Sequence, residues 1–292
     1  MARGRLDWET DGADWPLRAT SRFVTAAGLR WHVQALGRGP VALLLHGTGG
    51  ASCSWRGVAP LLADRFTVVA PDLPGHGFSD PAPPGGAALP AMAAGVAALT
   101  AALGLRPDVI VGHSAGAAVA ARMALDGMTA PLVAFNGAFL PFRGVAGALF
   151  PPMAKLLALN PLAPRAMAFG AWAMTGGLLD AMGPGLDAEG RALYRRLFAN
   201  RGHVAGALAM MAAWDLAPLA RALPRLPGPL ALVVGEADRA VPPADARAVA
   251  RLVPGARLTV LPGLGHLAHE ERPDLAAAII AEVHDRARGA PA

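Results

Sequence analysis

Val109-Ile110-Val111-Gly112-His113-Ser114-Ala115-Gly116-Ala117-Ala118 passes from a short β-rich run into Ala-rich helical sequence, with a G-x-S-x-G pattern at the join. A serine on a strand-to-helix turn is held in strained backbone and packs against adjacent strands, so its neighbours must be small. Gly112 and Gly116 carry no Cβ and supply that room. The pentapeptide is a weak pattern alone; what surrounds it gives it meaning.

Working outward, Asp238 follows the apolar run 230–234, and His266 sits in the Gly-rich loop after the run 257–261. A serine hydroxyl becomes a nucleophile when a base takes its proton, and a carboxylate must hold that imidazole in one tautomer. The chain order Ser114, Asp238, His266 is that of the α/β hydrolases and differs from the orders on two other protease folds. Loops at the carboxyl ends of parallel strands converge on one rim of a sheet, so the three can meet. His46-Gly47-Thr48-Gly49-Gly50, after the run 41–45, stands where such a fold places an oxyanion loop. Thr48 is the expected first N–H donor, with Gly49 as the alternative, and Ala115 the second. His269 is the rival base and Asp72 the rival acid; order and loop context favour His266 and Asp238.

The remaining periodicities fit an α/β chain. Residues 1–20 form a polar arm with Trp8 and Trp15. Residues 21–28 and 29–37 alternate as a hairpin, and strands are expected at 41–45, 66–70, 108–111, 131–135, 230–234 and 257–261. Helices are expected at 54–63, 89–103, 115–125, 243–252 and 270–288. From about 141 to 216 the alternation stops, and the chain is apolar, helical and broken by Pro and Gly. The expected organisation is a core of 1–140 and 217–292, with 141–216 inserted as a helical lid over a mostly parallel sheet flanked by helices.

The lid carries the candidate pocket residues. Phe142, Met153, Trp172, His203, Met210, Met211 and Trp214, with His113 beside the nucleophile, are expected to line a space for a bulky apolar ligand. Each Met also has the simpler reading of packing the lid onto the core. His203 could face the cavity as a metal ligand, or be a hydrogen-bonded lid histidine, which the missing second ligand type favours.

The 292 residues suffice for one large α/β domain. The formal net charge is +5, carried almost wholly by arginine, with Lys155 the single lysine. These arginines are scattered and form no stripe with aromatics, which argues against nucleic acid as a partner. No apolar run approaches the ~20 residues of a membrane span. No signal sequence is read in the first residues, and Cys53 is the single cysteine, so the expected location is cytoplasmic, with peripheral membrane contact compatible. The site implies no metal or organic cofactor. Haloalkane dehalogenase and epoxide hydrolase chemistry is not expected, because those reactions use a carboxylate where this chain has Ser114.

Over its whole length the chain resembles the α/β-hydrolase-fold accessory proteins of magnesium chelatase, encoded in bacteriochlorophyll gene clusters. The resemblance is carried by Asp14-Trp15-Pro16, residues 29–34, His46-Gly47-Thr48-Gly49, residues 71–79 and 112–118, and Asn136-Gly137. It continues through Leu140-Pro141-Phe142, residues 155–161 and 203–208, Met210-Met211, Trp214-Asp215-Leu216, residues 235–243 and 261–272. The arm and lid segments are its specific part; the hydrolase motifs identify only the fold. The resemblance implies a role near magnesium insertion into protoporphyrin IX, with a tetrapyrrole as the bulky apolar ligand and chelatase subunits as partners. The triad positions carry over onto Ser114, Asp238 and His266. Cys53 departs from the Thr or other small polar residue expected there. Arg143, Arg165, Arg191 and Arg201 would suit propionate groups. Two other functions fit the residues: a general carboxylesterase for apolar esters, or a non-catalytic tetrapyrrole-binding or chelatase-docking module.

Overall fold

The computed structural model describes residues 4–141, 156–157, 160 and 162–289. Eight strands form one sheet: β1 Ser21–Ala26, β2 Leu29–Leu36, β3 Val41–Leu45, β4 Thr67–Pro71, β5 Val109–His113, β6 Leu132–Phe135, β7 Leu230–Gly235 and β8 Arg257–Leu261. Their spatial order is β1-β2-β4-β3-β5-β6-β7-β8. β1 and β2 pair antiparallel, as do β2 and β4; every later pair is parallel. β3, β5 and β7 are continuous apolar runs, and β5 and β7 are buried at every position, as strands covered on both faces must be.

The helices are α1 Val58–Leu62, α2 Leu89–Ala102, α3 Ala115–Leu125, α4 Ala163–Met182, α5 Ala188–Phe198, α6 Arg201–Ala213, α7 Ala217–Ala222, α8 Pro243–Leu252, α9 Ala268–Glu271 and α10 Pro273–Ala287. Two core clusters form on the faces of the sheet. One packs α2, α3 and α7 against it, the other α1 and α10. Two sequence expectations change in detail. The helix expected at 54–63 is a 3₁₀ turn, Ser52–Trp55, followed by the short α1. The last helix is broken into α9 and α10 at Pro273, which lacks the N–H that would continue the ladder.

Between β6 and β7 the chain leaves the sheet, and α4, α5 and α6 lie over the strand ends. Their seating is specific. A Cβ on Gly206 of α6 would lie 2.0 Å from the carbonyl oxygen of Gly75, whose own φ is +81°. Only two glycines allow this approach of a helix to the 71–80 loop. Gly206→Val is therefore expected to lower stability by about 2 kcal/mol or more, read as a drop in the thermal midpoint. The arm is fastened as well: Trp8 and Trp15 meet Phe78 edge-on, each with ring centroids 4.9 Å away, and Arg196 of α5 forms a bidentate pair with Asp14. Among the described residues no single helix is long and apolar enough to cross a membrane.

Candidate active site

Ser114 joins β5 to α3 with φ +50° and ψ −116°, a conformation that costs a non-glycine residue about 1–3 kcal/mol. Its surroundings hold it there. The Ser114 N–H donates to the Phe135 carbonyl (3.0 Å), and the Ser114 carbonyl accepts from Ala117 and Ala138. A Cβ on Gly112 would fall 2.4 Å from Ala117 Cα, and one on Gly116 2.2 Å from the Leu45 carbonyl oxygen, so both glycines of the motif are steric requirements. Ala115 opens α3, where the first N–H groups have no intrahelical partner and the helix dipole favours negative charge.

His266 and Asp238 are 3% and 4% exposed and meet across two loops, His266 Nδ1 to Asp238 Oδ2, at 2.8 Å. A carboxylate only accepts, so Nδ1 carries the proton and Nε2 keeps its lone pair. Every other acceptor site of Asp238 is used as well. Asn136 Nδ2 donates to Oδ2 (2.7 Å), and the Ala240 and Val241 N–H groups donate to Oδ1 (2.8 and 2.9 Å). Asn136 sits at φ +49° just past β6 and also reaches the Gly265 carbonyl at 3.3 Å. His113 donates its Nε2–H to the His266 carbonyl (2.9 Å), and burial pushes its pKa far down, so it stays neutral.

Ser114 and His266 open onto a cavity of about 20 Å³ lined also by Gly47, Thr48, Gly50, His113 and Leu267. Its roof comes from Leu179 and Met182 of α4 and Tyr194 and Phe198 of α5. Thr48 is thus at the pocket, with its hydroxyl donating to Met210 Sδ at 3.4 Å. A larger cavity, about 520 Å³, lies between α2 and the end of α3 and shares no residue with this pocket.

The other candidates separate. Met210 is fully buried in a core cluster, and Trp214 packs against that cluster. Met211 and Trp214 are half-buried. Phe142 and Met153 lie outside the described residues, as does the side chain of Trp172. His203 is 2% exposed: its Nδ1 accepts from the Gly77 N–H and its Nε2–H donates to the Gly49 carbonyl, both at 3.0 Å. Burial lowers its pKa to about 4, and neither ring nitrogen is free for a metal; the ring ties α6 to the 46–50 and 71–80 loops. Asp72 pairs with His32 (2.8 Å) and accepts from the Ser52 and Phe78 N–H groups, while His266 pairs with Asp238. His269 is wholly buried, with neither ring nitrogen hydrogen-bonded. Arg191 is taken up by Asp180 and the Leu186 carbonyl. Among the described residues no group of three His, Cys, Asp or Glu side chains is placed to hold a metal ion.

Sequence reasoning gave no role to Asn136, and named neither Leu179, Tyr194, Phe198 nor Leu267. Asn136 follows a strand and precedes a glycine, a signature of a tight post-strand turn. The roof residues carry no local signal, since nothing along one helix says which face will meet another loop.

The Alpha/beta hydrolase family profile matches residues 42–279. The magnesium-chelatase 30 kDa subunit of Rhodobacter capsulatus is 42% identical over 266 residues, covering 90% of this chain and 93% of that one. Among solved structures, an epoxide hydrolase without ligand superposes with a TM-score of 0.79 at 25% identity, covering 91% of this chain and 99% of that one. A thermophilic esterase from Thermogutta terrifontis gives 0.73 at 27% identity, covering 90% and 99%. The chain belongs to the alpha/beta hydrolase family, and within it is a relative of the magnesium-chelatase 30 kDa subunit over nearly the full length of both.

Proposed function

We propose that this chain is a serine hydrolase, cleaving an ester, thioester or amide through an acyl-serine, in the service of magnesium insertion into a tetrapyrrole. The observation that carries the chemistry is the His266–Asp238 pair at 2.8 Å, with all acceptor sites of the carboxylate occupied and Ser114 on the same small cavity. The setting is drawn from the magnesium-chelatase relative.

In this reading the Ser114 hydroxyl attacks the substrate carbonyl carbon while His266 Nε2 takes its proton. The N–H groups of Thr48 and Ala115 receive the resulting oxyanion. Collapse expels the alcohol, thiol or amine, which leaves with the proton from His266, and water repeats the sequence to release the acid. Asp238 holds the Nδ1–H tautomer and balances the imidazolium. A serine at the elbow cannot form the alkyl–carboxylate ester of an epoxide hydrolase, so the superposition on that enzyme supports the fold and no shared chemistry.

A cavity of about 20 Å³ holds little more than a water, whereas ligand sites span about 300–1,000 Å³. The roof must therefore move before a bulky substrate reaches Ser114, and a resident tetrapyrrole in this closed arrangement is disfavoured. The test is covalent labelling of the protein by a fluorophosphonate, with Ser114→Ala and His266→Ala beside it. Labelling that disappears in both variants supports the hydrolase reading. A folded wild type that stays unlabelled from about pH 6 to about pH 9 overturns it, since an activated serine must react in that range.

A further inference from the structure

Glu270 is a buried carboxylate four residues past the candidate base, and nothing in the acyl-serine chemistry uses it. Its side chain is 1% exposed. Oε1 accepts from the Tyr194 hydroxyl and Oε2 from Arg56 Nη1, both at 2.6 Å. Arg56 also pairs with Asp187, whose Oδ1 caps the N-terminus of α5 by accepting from the Gly190 N–H at 2.7 Å. α5 is thereby held at its start through Arg56 and at mid-length through Tyr194, both on one carboxylate. The next residue repeats the connection, with Glu271 accepting from Gly265 on the base loop (2.9 Å) and from Gly185 just before α5 (3.0 Å).

Tyr194 is also a wall of the cavity at Ser114. Its hydroxyl is spent on Glu270, so the pocket meets the ring, and Leu179, Met182 and Phe198 complete an apolar roof. We propose that Tyr194 is the specificity-determining roof of the Ser114 pocket, held down by Glu270 and Arg56, and that its swing decides which acyl groups reach the serine. The substrate side facing this roof is apolar. The role in specificity rests on the hydrolase reading above; the gating itself does not.

The tether also has a pH sense. Burial pushes the Glu270 carboxyl up to about 7, although Arg56 and the Tyr194 hydroxyl pull it down. The groups facing it are Arg56, the Tyr194 phenol, and His269 Nε2 at 4.0 Å, with Asp187 and Glu189 reached through Arg56 and the Cys53 thiol buried nearby. Burial depresses His269 to about 3, so it adds no charge at neutral pH. The closed form binds the Glu270 proton more tightly than a hydrated, open form whose carboxyl would return toward 4.5. By linkage, raising pH through that window favours opening.

The test is size-selective alkylation of Ser114→Cys, which reads access whether or not the protein hydrolyses anything. Cys53 is buried with its thiol pushed well up, so it competes little, and Cys53→Ala in the same background controls for it. The reagents are iodoacetamide and fluorescein maleimide, and the ratio of their rates cancels the intrinsic reactivity of the new thiol. Tyr194→Ala is expected to raise the bulky-to-small ratio about tenfold or more, because it removes a whole ring from the wall of the cavity. Tyr194→Phe and Glu270→Leu keep the ring and fill the space while removing the donor and the acceptors of the tether; each is expected to raise the ratio several-fold. Their combination is expected to do no more than either alone, as for two partners of one bond. In the parent the ratio is expected to climb between about pH 5 and about pH 8, and to be flat with Glu270→Leu, which has no carboxyl to titrate. Ratios for Tyr194→Phe and Glu270→Leu within about twofold of the parent, in variants that melt like it, overturn the tether. A ratio indifferent to Tyr194→Ala overturns the roof. Fluorophosphonate labelling that fails while these ratios shift as expected counts against the hydrolase reading alone.

Discussion

Asp238→Asn is expected to slow acylation of Ser114 by about four orders of magnitude, the size of effect that loss of the orienting carboxylate has in a triad. Four donors converge on this one side chain: His266 Nδ1–H and Asn136 Nδ2–H on Oδ2, and the Ala240 and Val241 N–H groups on Oδ1. An amide has one accepting and one donating end, so either orientation opposes two donors. Turned with its NH₂ to His266, it drives the imidazole to the Nε2–H tautomer, which cannot take the serine proton. Turned the other way, it sets an NH₂ against the 240–241 backbone. Stopped-flow labelling with a fluorophosphonate, beside a thermal melt, measures both consequences. Labelling within about tenfold of wild type would show that Asp238 does not orient the base. Asn136→Ala is the gentler companion: it removes one charge-assisted hydrogen bond and leaves His266 paired.

Asp72 forms the second buried carboxylate–imidazole pair, with the same 2.8 Å spacing to His32, and the opposite consequence is expected of it. Both partners are fully buried, and His32 Nε2 has no hydrogen-bond partner beneath Trp8, Phe23 and Phe78. Asp72 Oδ1 and Oδ2 also take the N–H groups of Ser52 and Phe78, pinning the turn before α1 and the 71–80 loop to β2. Asp72→Ala leaves those donors and the imidazole unpaired in a dry interior, and is expected to cost about 3–5 kcal/mol of folding stability. Labelling of the fraction that folds should remain near wild type, since Asp72 is not among the residues that line the pocket at Ser114.

The pH dependence follows from the same group. Burial alone would raise the Asp72 carboxyl, but His32 and the Ser52 N–H hold it well below the usual carboxylate range. A depressed acid stabilises the fold above its unfolded value of 3.8 and loses that contribution as pH falls toward its folded value. Wild-type unfolding midpoints should therefore fall below about pH 4, and Asp72→Asn should flatten that limb. A variant that melts within about 1 kcal/mol of wild type would mean the loop is held by its other contacts.

Much of this protein was legible in local chemistry. The inner strands of the parallel sheet are largely apolar, α3, α8 and β8 fall at the expected residues, and the elbow is written in Gly112 and Gly116 because a Cβ at either would strike the backbone. Ser114, Asp238 and His266 could be singled out by type, order and position after strands. Those are features of a chain read along its length, and sterics or β-sheet topology converts them directly into place.

Other features exist only because distant segments meet. Asn136 reaches Asp238 across 102 residues, and Tyr194 reaches Glu270 across 76. Asp72 was a possible acid until the fold placed His32 beside it. His203 was a possible ligand until both its nitrogens found backbone partners on two loops. The small closed pocket likewise belongs to no single segment, since its floor comes from loops after β3, β5 and β8 and its roof from α4 and α5. The sequence by itself determined the strands, the elbow and the residue types of the candidate site. Only the tertiary structure decided which buried carboxylate serves which imidazole and what closes over the serine, because a hydrogen bond or a steric wall is set by spatial approach, on which spacing along the chain is silent.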